Sequence, residues 1–210
     1  MDANRFDAGL YSPSDIVRIA KVRPQVFQAW IKAGLLSPPV TLHAGGKSHN
    51  VYSYRDLLLI RLIARLREKG LPVGKIKQAL DNIVAAAGGD PGAWLQATIY
   101  ADEDLIAAIL PGDPSGAPFS ASQGPQTLAV ALLPELLEEL ERDLVPKRFR
   151  HVRIDPEVLA GAPVVAGTRV PTQTVLITRR SGQDPSEVYP ALTNEQVEDA
   201  LAYEEFLEQA

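Results

Sequence analysis

The 210-residue chain has no cysteine, one methionine and three histidines. Without thiolates there is neither a disulfide framework nor a thiolate zinc site. No nucleophile–base arrangement is recognisable around the three histidines, so an enzyme is not expected, and neither is a resident metal or cofactor. Long uncharged apolar runs are also missing. The most apolar segment, DLLLIRLIARLREKG, is interrupted by Arg61, Arg65 and Arg67, short of the roughly 18 residues a membrane crossing needs. The opening MDANRFDAGL lacks the basic-then-apolar profile of a secretion signal, and the expectation is a cytoplasmic protein away from the membrane. What is present, 46% hydrophobic residues, suffices for one good core or two to three small ones.

The net charge of −5 hides a strong asymmetry. Residues 1–87 carry 13 Lys and Arg against 6 Asp and Glu, and residues 88–146 carry 1 against 10. Residues 147–180 then carry 7 against 2, and residues 181–210 none against 8. Blocks of opposite sign do not suit one partner, so the basic front end is the place for a polyanion. Punctuation agrees with these blocks. AAAGGDPGA closes a first segment, PGDPSGAPFSASQGPQ interrupts a second, and a third begins near Val145 and Pro146. The expected domains are 1–87, 88–146 and 147–210.

In the first segment, SPSDIVRIAKV offers Ser12 as a cap, Pro13 at the first helical position and Asp15 in the first turn. Pro24 restarts a helix in which Val26, Phe27, Trp30 and Ile31 recur at helical spacing, closed by Gly34. Burying Phe27 and Trp30 leaves Gln25, Gln28, Ala29 and Lys32 on the outer face. GGKSHNVYSYRDL then reads as a glycine-tipped hairpin feeding a helix capped by Ser53 and Asp56, and LPVGKIKQALDNIVAAA as one further helix. Helix, turn, helix, hairpin is a winged helix-turn-helix, in which one helix enters the major groove and the hairpin lies on the neighbouring backbone. The candidate DNA contacts are Arg18, Arg23, Gln25, Gln28, Lys32, Lys47, His49, Asn50, Tyr52 and Arg55.

Residues 11–80 resemble the DNA-binding domain of the MerR family, on Tyr11-Ser12, Asp15 to Val17, Val22, Pro24, Trp30, GLLSP from Gly34, Val51-Tyr52-Ser53 and Arg55-Asp56-Leu57. The chain departs from that pattern at Gln28, Ala29 and Asn50, where members usually carry an arginine, an aromatic and another arginine. Lys47, Arg23, Lys32 and Arg55 are the cations available to cover those places.

The middle segment reads as a small sheet, with a hairpin around residues 101–104 and a third strand at TLAVALL, followed by an acidic helix in PELLEELERDL. In that helix Glu135, Glu138, Glu139 and Asp143 fit a solvated face better than a metal site. In the tail, VRI and PVV form a hairpin. Three helices follow, two of them marked by Asp184-Pro185 and by a Thr193/Gln196 capping box. The expected fold is mainly α with small β hairpins: a winged helix-turn-helix, a small α+β middle, and a C-terminal hairpin with three helices.

IDPEVLAGAPVVAGTRVP, SGQDPSEVYPALT and ALAYEEF resemble the domain-of-unknown-function 433 family across residues 151–207. A MerR-like head joined to such a tail is similar to VapB-type antitoxins. That resemblance implies a PIN-like ribonuclease toxin as partner and repression of the protein's own operon. PIN-type nucleases hold acidic residues around a divalent metal, so Arg169, Arg179 and Arg180 are candidate toxin contacts that would neutralise such a pocket. For Arg169 a hydrogen bond within its own turn is the other reading, and for Arg179 and Arg180 solvent exposure. A homodimer on a palindromic operator is expected. The alternative is a MerR-like regulator answering to a ligand held by residues 92–145, without a toxin.

Overall fold

The computed structural model describes residues 6–36, 40–44, 47–90, 92–95, 97–101, 106–110, 119–120 and 136–209. In chain order the elements are α1 (Pro13–Ile19), α2 (Pro24–Lys32), β1 (Val40–Ala44), β2 (Lys47–Val51), α3 (Tyr54–Glu68) and α4 (Val73–Ala86). A 3-10 turn at Ala93–Leu95 precedes β3 (Thr98–Ala101), β4 (Ile106–Ile109), β5 (Phe119–Ser120) and α5 (Leu136–Leu144). The tail holds β6 (Val152–Arg153), β7 (Val164–Val165), α6 (Thr172–Arg180), α7 (Pro185–Val188) and α8 (Asn194–Glu208). The fold is thus mostly helical with small antiparallel hairpins, as the patterning predicts. The chain forms two compact units, one of residues 1–24, 39–57 and 142–210, the other of residues 25–38 and 58–141.

In the first unit local chemistry fixes the element ends. Asp15 N–H donates to Ser12 Oγ at 3.2 Å while Ser12 N–H donates to Asp15 Oδ2 at 3.2 Å, a reciprocal capping box with Pro13 at the first helical position. The same device starts α3, where Ser53 N–H donates to Asp56 Oδ2 at 2.8 Å, and α8, where Thr193 N–H donates to Gln196 Oε1 at 2.9 Å. Strands β1 and β2 pair antiparallel from Val40 opposite Val51 to Ala44 opposite Lys47, a register that leaves only Gly45 and Gly46 between them in the chain. Mutual backbone hydrogen bonds of 2.9 Å between Tyr11 and Tyr52 tie the end of this hairpin to the residue before α1's cap.

The tail closes over two apolar clusters. Val165, Val175, Leu192, Val197 and Ala200 form one, and Phe149, Val152, Tyr203 and Leu207 the other. At about 1.5–3 kcal/mol for each large apolar side chain removed from water, these clusters supply most of what holds so short a hairpin to its helices. Tyr203 also donates its hydroxyl to the Leu144 carbonyl at 2.9 Å, so its ring is buried without orphaning its oxygen.

In the second unit, α2 buries Phe27 and Trp30 and ends in a C-terminal cap: Gly34, at φ +68°, lets Leu35 N–H reach the Trp30 carbonyl at 3.1 Å. Helix α4 buries Ile76, Ala79, Leu80 and Ile83 along one stripe and packs on the 3-10 turn and on β4. Strands β3, β4 and β5 form one antiparallel sheet in that order, with Ala108 opposite Phe119. The hairpin expected around residues 101–104 is therefore present as β3–β4, while its third strand is Phe119–Ser120. The expected strand TLAVALL lies outside the described residues, as does Glu135. Of the acidic helix, Glu139 pairs with Arg65 at 2.8 Å.

Candidate nucleic-acid interface

A helix-turn-helix reads DNA with the outer face of its second helix, so the side chains that matter are those left in solvent once the core is filled. On α2 these are Gln25, Val26, Gln28, Ala29 and Lys32, all exposed over buried Phe27 and Trp30. Val26, an inward residue by its spacing, is 38% exposed and adds an apolar contact to that face. Glutamine offers the donor–acceptor pair that fits an adenine edge, and lysine a point charge for phosphate.

The turn before α2 has its own constraint. Lys21 adopts φ +55°, a left-handed conformation costing a non-glycine residue roughly 1–2 kcal/mol. Its ammonium stands 3.7 Å from the centroid of the Phe206 ring on α8, a cation–π contact of about 0.5–2 kcal/mol that offsets the strain. Arg23, two residues on, is exposed.

On the hairpin, His49 and Asn50 are exposed, with Thr41 Oγ1 donating to Asn50 Oδ1 at 3.3 Å. His43 Nδ1 and Ser48 Oγ lie 3.0 Å apart across the strands. Lys47 is held in β2 opposite Ala44; its side chain is outside the described atoms. Three of the other predicted contacts are engaged within the protein. Arg55 pairs with Asp7 at 2.7 Å. Tyr52 is buried at the bridge to Tyr11, and burial, followed by the Asp56 charge, pushes its phenol pKa up. Arg18 Nη1 donates to Glu204 Oε2 at 2.6 Å, and the other oxygen of that carboxylate accepts the Thr172 hydroxyl at 2.5 Å.

These contacts to Glu204 are a site the sequence pattern does not reveal. Glu204 shares one face of α8 with Val197, Ala200 and Leu207, and a glutamate at that spacing on an apolar stripe is the one signal that could have marked it. Burial of its carboxylate is tolerable because Arg18 and Thr172 satisfy both oxygens. Elsewhere in the same unit, Gly161 approaches the ring of Tyr11 so closely that an added Cβ would fall 1.9 Å from the hydroxyl, and Leu10 N–H donates to the Ala160 carbonyl at 2.9 Å. The segment around α1 is thereby built into the same unit as β6, β7 and α6 to α8.

Of the arginines proposed for a protein partner, Arg169 is exposed with no side-chain partner among the described residues. Arg179 lies 3.5 Å from Glu198, and Arg180 makes two contacts to Glu208, at 2.7 and 2.9 Å. Both pairs are exposed, which limits each to about 0–1 kcal/mol.

Residues 11–83 match the model of the MerR HTH family regulatory proteins, and residues 152–203 match that of a protein family of unknown function, DUF433. The chain carries a MerR-family helix-turn-helix domain and a DUF433 domain. It is 26% identical over 73 residues to uncharacterized HTH-type transcriptional regulators of Mycobacterium tuberculosis and Mycobacterium bovis. That stretch is 35% of this chain, which spans only 32% of those relatives' length. The crystal structure of Rv2018 from Mycobacterium tuberculosis shares the fold, with a TM-score of 0.56 and 19% identity, over 94% of this chain and 99% of that one. Among the described residues no helix is long and apolar enough to cross a membrane.

Proposed function

We propose that this protein is a DNA-binding transcription regulator and, more specifically, the antitoxin of a type II toxin–antitoxin pair that represses its own operon and neutralises a PIN-like ribonuclease. The observation that carries the first part is the open face of α2: Gln25, Gln28 and Lys32 stand in solvent on a helix anchored by Phe27 and Trp30. Arg23, His49 and Asn50 supply backbone contacts on either side of it in the chain. Two copies on a two-fold axis would read half-sites of a palindromic operator about one or two helical turns apart.

The antitoxin part is supported by the joining of the two matched domains and by Arg169. An exposed guanidinium with no side-chain partner among the described residues suits insertion among the carboxylates of a metal-dependent nuclease, where it would form bidentate bonds and exclude the metal. Arg179 and Arg180 would exchange their weak pairs with Glu198 and Glu208 for the partner's acids. The test is co-expression with the product of the neighbouring reading frame, followed by co-purification and an RNA cleavage assay with magnesium. Capture with loss of cleavage is the expected result; an active nuclease left unbound would remove the antitoxin reading. The second reading is a ligand-responsive regulator with no toxin partner, and of it the HTH-type transcriptional regulator relatives support the regulator part. It would be supported by promoter binding that changes with a small molecule.

A further inference from the structure

The segment KRFR, residues 147–150, connects α5 to β6 and lies in the same compact unit as α1, the turn after it and the hairpin. Lys147, Arg148 and Arg150 are exposed, and none of them is in an ion pair among the described residues. Phe149 between them is buried, 5.3 Å from the Tyr203 ring and 5.4 Å from that of Phe206, so the three cations are carried on an anchored loop. The Arg148 guanidinium stands 4.7 Å from the Phe149 centroid and 5.0 Å from that of Phe206. Phe206 is also the ring that receives Lys21 from the helix-turn-helix turn, at 3.7 Å. One aromatic ring therefore gathers a cation from the helix-turn-helix turn and one from the segment before the DUF433 match, and their charges lie no farther apart than about one Debye length. Like charges brought together on an anchored surface repel one another, and a polyanion laid across Lys147, Arg148 and Arg150 relieves the repulsion among those three.

We infer that Lys147, Arg148 and Arg150 form a phosphate-binding extension of the helix-turn-helix, gripping the DNA backbone alongside Arg23. DNA backbone is favoured over an acidic protein because the loop is fixed to the turn of the helix-turn-helix, and the first helix of that motif is the one that crosses the phosphates. The segment leading into the DUF433 domain then contributes sequence-independent affinity to the regulator. This inference rests on the DNA-binding reading above, and the test separates the two.

Binding of the full chain is measured by fluorescence anisotropy over a salt series, on a duplex from upstream of its own gene and on an unrelated duplex of equal length. Two variants are compared with the parent: Lys147→Ser/Arg150→Ser, which leaves the Arg148 stacking intact, and the same with Arg148→Gln added. Every phosphate that goes unneutralised reduces the slope of log affinity against log salt by about 0.9, so the double variant should lose about 2 in slope and the triple about 3, equally on both duplexes. Parental binding with unchanged slopes in a folded double variant overturns the inference and leaves the DNA-binding reading standing. Failure of the parent to bind either duplex in dilute buffer overturns both. Unchanged slopes with loss of a co-expressed partner would assign the patch to an acidic protein and equally overturn it. If the triple variant melts early, the double variant decides.

Discussion

Arg18 on α1 and Glu204 on α8 form an ion pair of 2.6 Å in which the carboxylate is almost wholly buried and the guanidinium about one-quarter exposed. Removing one member leaves the other uncompensated, which in buried pairs costs about 3–5 kcal/mol. Because Arg18 keeps some solvent, Glu204→Ala is expected near the lower end, and Arg18→Ala, which strands the buried carboxylate, no lower. Replacing both by apolar residues, Arg18→Met with Glu204→Leu, should cost less than either single change. Urea midpoints of the three variants check this; a double variant as damaged as the sum of the singles would show the pair is not coupled.

At Gly161, φ is +88° and an added Cβ would strike the Tyr11 hydroxyl. Gly161→Ala should destabilise by more than about 2 kcal/mol, combining left-handed strain with overpacking. Tyr11→Phe should be neutral or mildly stabilising, since the buried hydroxyl it removes has no hydrogen-bond partner among the described residues. Thermal melts of the two variants should move in these different ways.

Burial, more than any neighbouring charge, pushes the phenols of Tyr11 and Tyr203 well above their ordinary value of 10.0. The folded state therefore binds protons that the unfolded state releases. Stability is intact below about pH 10 and falls as pH rises beyond it, because only the unfolded chain can then ionise these groups. Tyrosinate absorbance followed with far-UV circular dichroism should show these two tyrosines ionising together with loss of helix, and Tyr203→Phe should reduce the alkaline sensitivity.

On α2, Lys32→Ala should weaken binding to all duplexes alike and lower the salt slope by about 0.9, whereas Gln28→Ala should relax preference at one base position at a cost of about 1–3 kcal/mol. Competition between operator and mixed-sequence DNA distinguishes the two effects.

Ser12→Ala removes the oxygen that caps α1 and should cost about 1 kcal/mol, as should Thr193→Ala at α8. Denaturant unfolding of each single variant measures it.

What is legible in the sequence is local. The boxes at Ser12/Asp15, Ser53/Asp56 and Thr193/Gln196 are three-residue devices, and each marks its helix start as predicted. The buried Phe27 and Trp30 follow from a 3.6-residue period, and the β1–β2 hairpin from its two glycines. What is not legible depends on residues far apart in the chain. Nothing near Arg18 marks it as the partner of a glutamate 186 residues away, and its position in a basic segment points to phosphate instead. Tyr52 reads as a hairpin surface residue because the bridge that buries it comes from Tyr11, 41 positions earlier. The order β3-β4-β5 is half legible, since the β3–β4 pairing is adjacent in sequence and the β4–β5 pairing spans a longer gap.

The separation of Arg18 from Glu204 also bears on synthesis. At roughly 5–20 residues per second, the 186 intervening positions take on the order of ten to forty seconds to translate. During that interval α1 has left the ribosome without the helix it docks on, so this first helix of the helix-turn-helix settles only after α8 emerges. Products truncated before α8 would carry an α1 whose Arg18 has lost its buried counter-charge.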